Sequence, residues 1–296
     1  MHKPKPAPVA LFVYNRPWHT EQTLDALKRN TLAADTVLYV FADGPKEGAT
    51  EEDLQKIGDT RRLFKGLQGF KKVVVSARDK NLGLAPSVIA GVSEVVNRDG
   101  RIIVLEDDLV VSPNFLDFMN DGLNLYSDVS NVYSINGFMF PVKSKLRQTV
   151  LLPYTSTWGW ATWKDKWAVF DEEMKGKELI KKNPYLASKF NLGDYKYTDM
   201  LSYGNNSWGI KWYFSVFKKN GLNVYPSQSL VNNIGFDGSG ENCTPSEIHG
   251  KMNMSSKIEL SLESDIDLEF YSQFVNYFSD KKSRRSRVFK IFQFSK

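Results

Sequence analysis

The chain has 296 residues, of which 42% are hydrophobic, 13% aromatic and 25% charged, so it can bury a full core and is not a disordered polymer. A single cysteine, Cys243, excludes an internal disulfide and a cysteine zinc cluster. The net charge of +5 is uneven: residues 281–296 hold seven Lys/Arg and no acid, leaving a near-neutral body with a basic tail.

No apolar run reaches the ~18–20 residues needed to span a bilayer. The N-terminal basic residues are followed by no apolar segment of secretory type. Both point to a cytoplasmic protein. A short tail on a near-neutral body is a poor nucleic-acid footprint, so no nucleic-acid partner is expected.

Taken in chain order, the first 110 residues alternate between strand and helix. Apolar runs at 9–14, 36–41, 71–77 and 101–105 read as strands. Segments 19–29, 51–67 and 85–97 read as helices. The helix at 51–67 starts acidic and ends basic, the favourable sense for its dipole. Continuous Val/Ile/Leu strands separated by helices predict a mostly parallel sheet with both faces covered, an α/β fold. Ligands of such sheets bind beyond the carboxyl ends of the strands. The residues there are Asn15-Arg16, Asp43-Gly44, Arg78-Asp79-Lys80-Asn81 and Glu106-Asp107-Asp108. Their polar, charged character favours a site for an anionic ligand with a cation.

Beyond residue 110 the alternation weakens. Ser112-Pro113 predicts a helix start, with Ser112 as N-cap and Pro113 in the first turn, running to about Tyr126. Strands are expected at 132–135, 149–152 and 223–225, and helices at 177–190 and 207–219. Trp163 and Trp167, four apart, read as one packed helix face. Trp158 and Trp160 flank Gly159 and are candidates for lining a sugar pocket. The expected organisation is one domain over residues 1–265 and a helical, basic C-terminal tail over 266–296. The tail mixes cations with Val288, Phe289, Ile291, Phe292 and Phe294. That composition fits peripheral contact with an anionic membrane, or equally a helix docked on the domain.

Glu106-Asp107-Asp108 is the strongest local signal. Three successive carboxylates after a buried strand repel one another. A hard cation such as Mn2+ or Mg2+ relieves that repulsion, taking one or two carboxylates plus ligand phosphates and water. The alternative is a solvated acidic turn with a capping role.

Leu105-Glu106-Asp107-Asp108-Leu109 and the segment after it resemble the acidic motif of N-acetylglucosaminyltransferase I and bacterial surface-polysaccharide glycosyltransferases. The similarity includes the opening VALFVYNRP, Ala42-Asp43-Gly44, Asn81-Leu82-Gly83-Leu84-Ala85, Trp158-Gly159-Trp160, and Ser207-Trp208 through Gly238. It implies a GT-A, Rossmann-like fold and transfer of a sugar from a UDP-sugar donor to a saccharide hydroxyl, with inversion, on an acceptor that is lipid-linked in some members. Asp108 would ligate the metal. Glu106 and Asp107 would bond the donor's ribose or sugar, or metal-bound water. Asp43 would accept the uracil N3–H, Arg16 would lie by the base or diphosphate, and Lys80 and Asn81 would contact the nucleotide.

The resemblance fails at the base that an inverting transfer needs. Relatives place a carboxylate where this chain has Asn205-Asn206, and a His where it has Glu241-Asn242. An Asn cannot take a proton, so Asn206 leaves Glu241, Asp199 and Asp237 as substitutes, Glu241 first because it follows a flexible glycine-rich turn. A catalytically degenerate sugar-nucleotide or glycan-binding protein is the alternative. A nucleotidyltransferase is disfavoured because no glycine-rich phosphate loop follows the first strand.

Overall fold

A computed structural model describes residues 5–142, 148–203, 207–238, 252 and 258–279. The first strand, β1 (Val9–Val13), is buried along its whole length. It lies parallel between β2 (Val37–Ala42) and β4 (Arg101–Glu106), with Phe12 opposite both Phe41 and Glu106. Outside β2 runs β3 (Lys72–Ala77), also parallel. The sheet continues past β4 through β8 (Trp160–Trp163), β6 (Val132–Asn136), β9 (Leu222–Tyr225) and β7 (Val150–Leu152). Of these eight strands only β7 and β8 run against the rest. A separate antiparallel ribbon joins β5 (Leu109–Val111) to β10 (Val231–Asn233). The fold is therefore α/β, with a mixed, mostly parallel sheet flanked by helices in a Rossmann-like arrangement.

The period-2 geometry of the strands explains the layering. Val9, Leu11 and Val13 face one side, with α1 (Pro17–Lys28) and α4 (Phe115–Leu125). Ala10 and Phe12 face the other, with α3 (Leu84–Asp99) and α9 (Trp208–Phe217). At Gly91 of α3 an added Cβ would stand 2.7 Å from the Phe12 ring, so helix and strand meet only because that position is glycine. Helix α2 (Glu51–Arg62) starts with a reciprocal Thr50–Asp53 capping box and packs beside α1.

A third cluster gathers α6 (Lys177–Lys182), α7 (Pro184–Phe190), α8 (Tyr197–Tyr203) and the C-terminal helix α10 (Leu268–Ser279). Phe270, Phe274 and Phe278 of α10 are buried there, and the Phe278 ring meets Phe140 at 4.8 Å. Residues 268–279 are thus built into the body of the protein. The basic segment 281–296 lies outside the described residues.

Several expectations need correction. Ser112 does not cap α4: its Oγ accepts no N–H of the helix, its own N–H donates to Leu230 O at the edge of the ribbon, and Asn114 is the N-cap residue. The helix expected over 177–190 is two, because Pro184 removes an N–H and Asn183 starts α7 by accepting from Tyr185 and Leu186. Trp163 and Trp167 do not share a helix face. Trp163 ends β8, Trp167 lies in α5 (Lys164–Trp167), and they enter clusters on opposite faces of the sheet.

Candidate functional site

The carboxyl ends of β1, β2 and β4 open into a cavity of about 290 Å³, where ligands of parallel sheets bind. Its walls come from two halves. One is the strand-end half, with Arg16, Asp43, Asn81 and Glu106-Asp107-Asp108. The other is aromatic, with Phe138, Phe140, Trp158, Tyr197, Trp208 and Tyr213.

Asp43 follows β2, its N–H bonded to Val13 O at the end of β1. Its carboxylate accepts three backbone N–H groups: Gly44 at 3.0 Å, and Leu82 and Gly83 each at 2.9 Å. Asp43-Gly44 is therefore more than a turn, since it ties β2 to the loop that starts α3. Gly83 takes a left-handed φ of 86°, and a Cβ on Gly44 would collide with the Lys80 backbone. Ser87 Oγ donates to the same carboxylate at 3.5 Å and Arg78 Nη1 lies 3.9 Å from it, so its roughly four lone-pair sites already face donors within the protein.

The acidic end of β4 is organised around one guanidinium. Arg16 precedes α1, whose first position is Pro17, and its side chain reaches back across the strand ends. Arg16 Nη1 lies 2.7 Å from Asp108 Oδ2 and 3.4 Å from Asp107 Oδ1. Nη2 lies 4.0 Å from Asp237 Oδ1, beyond the ribbon. The other oxygen of Asp237 is 3.0 Å from His19 Nε2, on the first turn of α1. Asp237 arrives there because β10 is antiparallel to β5 and Ile234 N–H donates to Asp108 O. A Cβ on Gly235 would run into Asp108 Oδ2, so the ribbon seats that carboxylate against bare backbone.

Burial sets the protonation of this cluster. Loss of solvent, then the charges of Asp108 and Asp107, push the Glu106 carboxyl up to about 8. Asp107 is also raised, by burial first and Asp108 second. His19 is lowered, by burial first and Arg16 second.

The sequence-derived candidates separate in space. Arg16, Asp43, Asn81, Glu106, Asp107, Asp108 and Trp158 all line the cavity. Lys80 does not: its backbone packs on Gly44. Trp160 does not either, being 0% exposed and stacked on Trp208 at 5.5 Å. Strand alternation sends it to the α9 face of the sheet. Asp199 is exposed on α8, and the cavity takes Tyr197 and Met200 from that segment instead. Glu241 and Asn206, like Asn205 and Asn242, lie outside the described residues. Trp158 packs edge-on against Phe138 and Phe236, with centroids 4.5 and 5.5 Å away. His19, Lys46, Ser87 and Tyr213 escaped sequence reasoning. His19 alone carried a legible signal, lying three residues after Arg16 on the same helical turn.

Among the described residues, no group of three or more His, Cys, Asp or Glu side chains forms a ready metal cage. Asp107, Asp108 and Asp237 nevertheless converge on one guanidinium as all-oxygen donors. Such a set suits Mg2+ or Mn2+ where a bound diphosphate and water complete the shell.

No family model matches the chain, and no curated protein matches it. Among solved structures, it is similar to the mannosyltransferase PcManGT from Pyrobaculum calidifontis, determined in complex with GDP-Man and Mn2+. The TM-score is 0.36 and the identity 12%, over 66% of this chain and 57% of that one. The match thus spans less than two thirds of the mannosyltransferase's length. Among the described residues, no helix is long and apolar enough to cross a membrane.

Proposed function

We propose that the chain is a GT-A glycosyltransferase whose strand-end half-cavity binds a nucleoside-diphosphate sugar, with UDP as the nucleotide. The observation that carries this reading is the meeting of Glu106-Asp107-Asp108 with Arg16 at the carboxyl end of a parallel strand, on the wall of an open cavity. Those groups offer a diphosphate both a guanidinium and carboxylates able to hold its counter-cation. Asp43 and the 81–83 loop border the space for the base and ribose. The aromatic half, with Trp158 and Tyr197, suits the stacking of an acceptor saccharide.

Asp108 would hold Mn2+ or Mg2+, with Asp107 beside it. When bound, the cation supplies Lewis-acid stabilisation of the departing diphosphate. Arg16 binds and orients that diphosphate, with Glu106 on the same wall of the cavity. The acceptor hydroxyl still needs a base, and Glu241 is the residue we assign to it. A growing surface polysaccharide, lipid-linked at an anionic membrane touched by segment 281–296, is the acceptor that best suits such an enzyme.

One observation favours a second reading, a binding protein that has lost turnover. Among the described residues, the carboxylates lining the cavity are Asp43, Glu106, Asp107 and Asp108, all in the donor half. The two readings part on UDP release from a UDP-sugar.

Thermal unfolding with UDP and Mn2+, on the wild type and Asp108→Ala, tests the donor site. Ligand near 100 Kd should add ~2.7 kcal/mol to wild-type stability. The gain should require both ligands and be absent in the variant. No stabilisation by any nucleoside diphosphate would overturn the proposal.

A further inference from the structure

The guanidinium of Arg16 is already paired with Asp108, the carboxylate assigned to the cation. Its Nη1 is 2.7 Å from Asp108 Oδ2 and 3.4 Å from Asp107, while Nη2 faces Asp237 at 4.0 Å. The group is largely buried, with 14% of its side chain exposed, so these pairs are poorly screened by solvent. Nor can Asp108 easily retreat, because the Gly235 backbone lies against its Oδ2.

We propose that Arg16 is a built-in counter-cation that blocks Asp108 until a diphosphate draws it away, making metal binding depend on nucleotide binding. This rests on the donor-site reading above. A divalent cation arriving alone meets a positive charge already seated on its carboxylate. A diphosphate offers the planar guanidinium a bidentate, more highly charged partner than one carboxylate oxygen. Movement of Arg16 onto the phosphate frees Asp108 for the metal and removes the repulsion in the same step. By linkage, the metal then strengthens nucleotide binding by the same factor.

The test is direct Mn2+ binding, read from the loss of the free-ion electron paramagnetic resonance signal, with and without UDP. Mn2+–UDP association in the absence of protein is subtracted. Wild type should bind Mn2+ alone weakly and at least ten-fold more tightly with UDP. Arg16→Gln should bind Mn2+ alone at least ten-fold more tightly than wild type, with the effect of UDP reduced towards none. Asp108→Asn introduced into Arg16→Gln should remove the gain. Equal affinity of wild type and Arg16→Gln for Mn2+ alone overturns the inference while leaving the donor site standing. Absence of any protein-bound Mn2+ in the wild type, even with UDP, overturns the donor-site reading itself. Should Arg16→Gln fail to fold by circular dichroism, the wild type alone decides: Mn2+ affinity unchanged by UDP sinks the proposal.

Discussion

At the scale of single residues, the site is governed by how few charges can be kept in a small buried volume. Glu106 and Asp107 are held towards their protonated forms, while Arg16 balances Asp108. This gives a pH prediction. The folded-state pKa of Glu106 is raised from 4.5 to about 8, so the folded protein holds a proton that the unfolded chain releases. Stability from this group is complete below about 4.5 and is lost as pH rises through 8. Glu106→Gln, which mimics the protonated acid, should match the wild type in melting temperature at about pH 4 and exceed it increasingly up to about pH 8.5. An equal pH dependence in the two proteins would remove the claim that Glu106 is held protonated. Asp43→Asn tests the neighbouring loop, because an amide replaces one acceptor oxygen with a donor that faces backbone N–H groups. The loss should be ~1–3 kcal/mol in denaturant unfolding, with weaker UDP binding.

At the scale of elements, close approach of backbones decides the geometry. Helix α3 touches β1 and β2 at Gly91, where a Cβ would stand 2.7 Å from Phe12 and 3.0 Å from Phe41. The Phe12 and Phe41 rings, stacked at 5.0 Å, are themselves part of the cavity wall. Gly91→Ala should cost ~1–3 kcal/mol by overpacking and should also weaken nucleotide binding. A neutral effect on both would mean the helix can shift without disturbing the strand ends. The β5–β10 ribbon acts similarly on the acidic corner. It carries Gly235 and Asp237 across to Asp108, linking residues more than 120 positions apart in the chain.

At the scale of the whole molecule, the sheet divides the labour. Its parallel half aligns the ends of β1, β2 and β4 along one side, and its mixed half carries the aromatic wall opposite. Helix α10 closes the cluster beneath that wall, so residues 268–279 are structural as well as C-terminal. Phe274→Ala should destabilise by ~3–5 kcal/mol, with one cooperative transition in fluorescence and circular dichroism. Two separate transitions would show instead that the third cluster unfolds by itself.

The sequence by itself determined the α/β class, the first four strands and the polar residues that follow them along one half of the cavity. Continuous apolar strands and the polar groups directly after them are local patterns, and a parallel sheet places every such end on one side. What followed Pro113 was decided by tertiary contacts. The short strands β5, β8 and β10 lack a period long enough to read, and Ser112 looked like a helix cap, yet it sits at the edge of the ribbon with its N–H on Leu230 O and its Oγ accepting no helix N–H. Trp160 and Trp158 are two residues apart and identical in chemistry, yet one is sealed behind the sheet and the other borders the cavity. Asp237 reaches Arg16 and His19 only because β10 folds back along β5. Local periodicity fixes which residues can share a face; which distant charge neutralises which is settled only when the chain has closed on itself and excluded the water that would otherwise separate them.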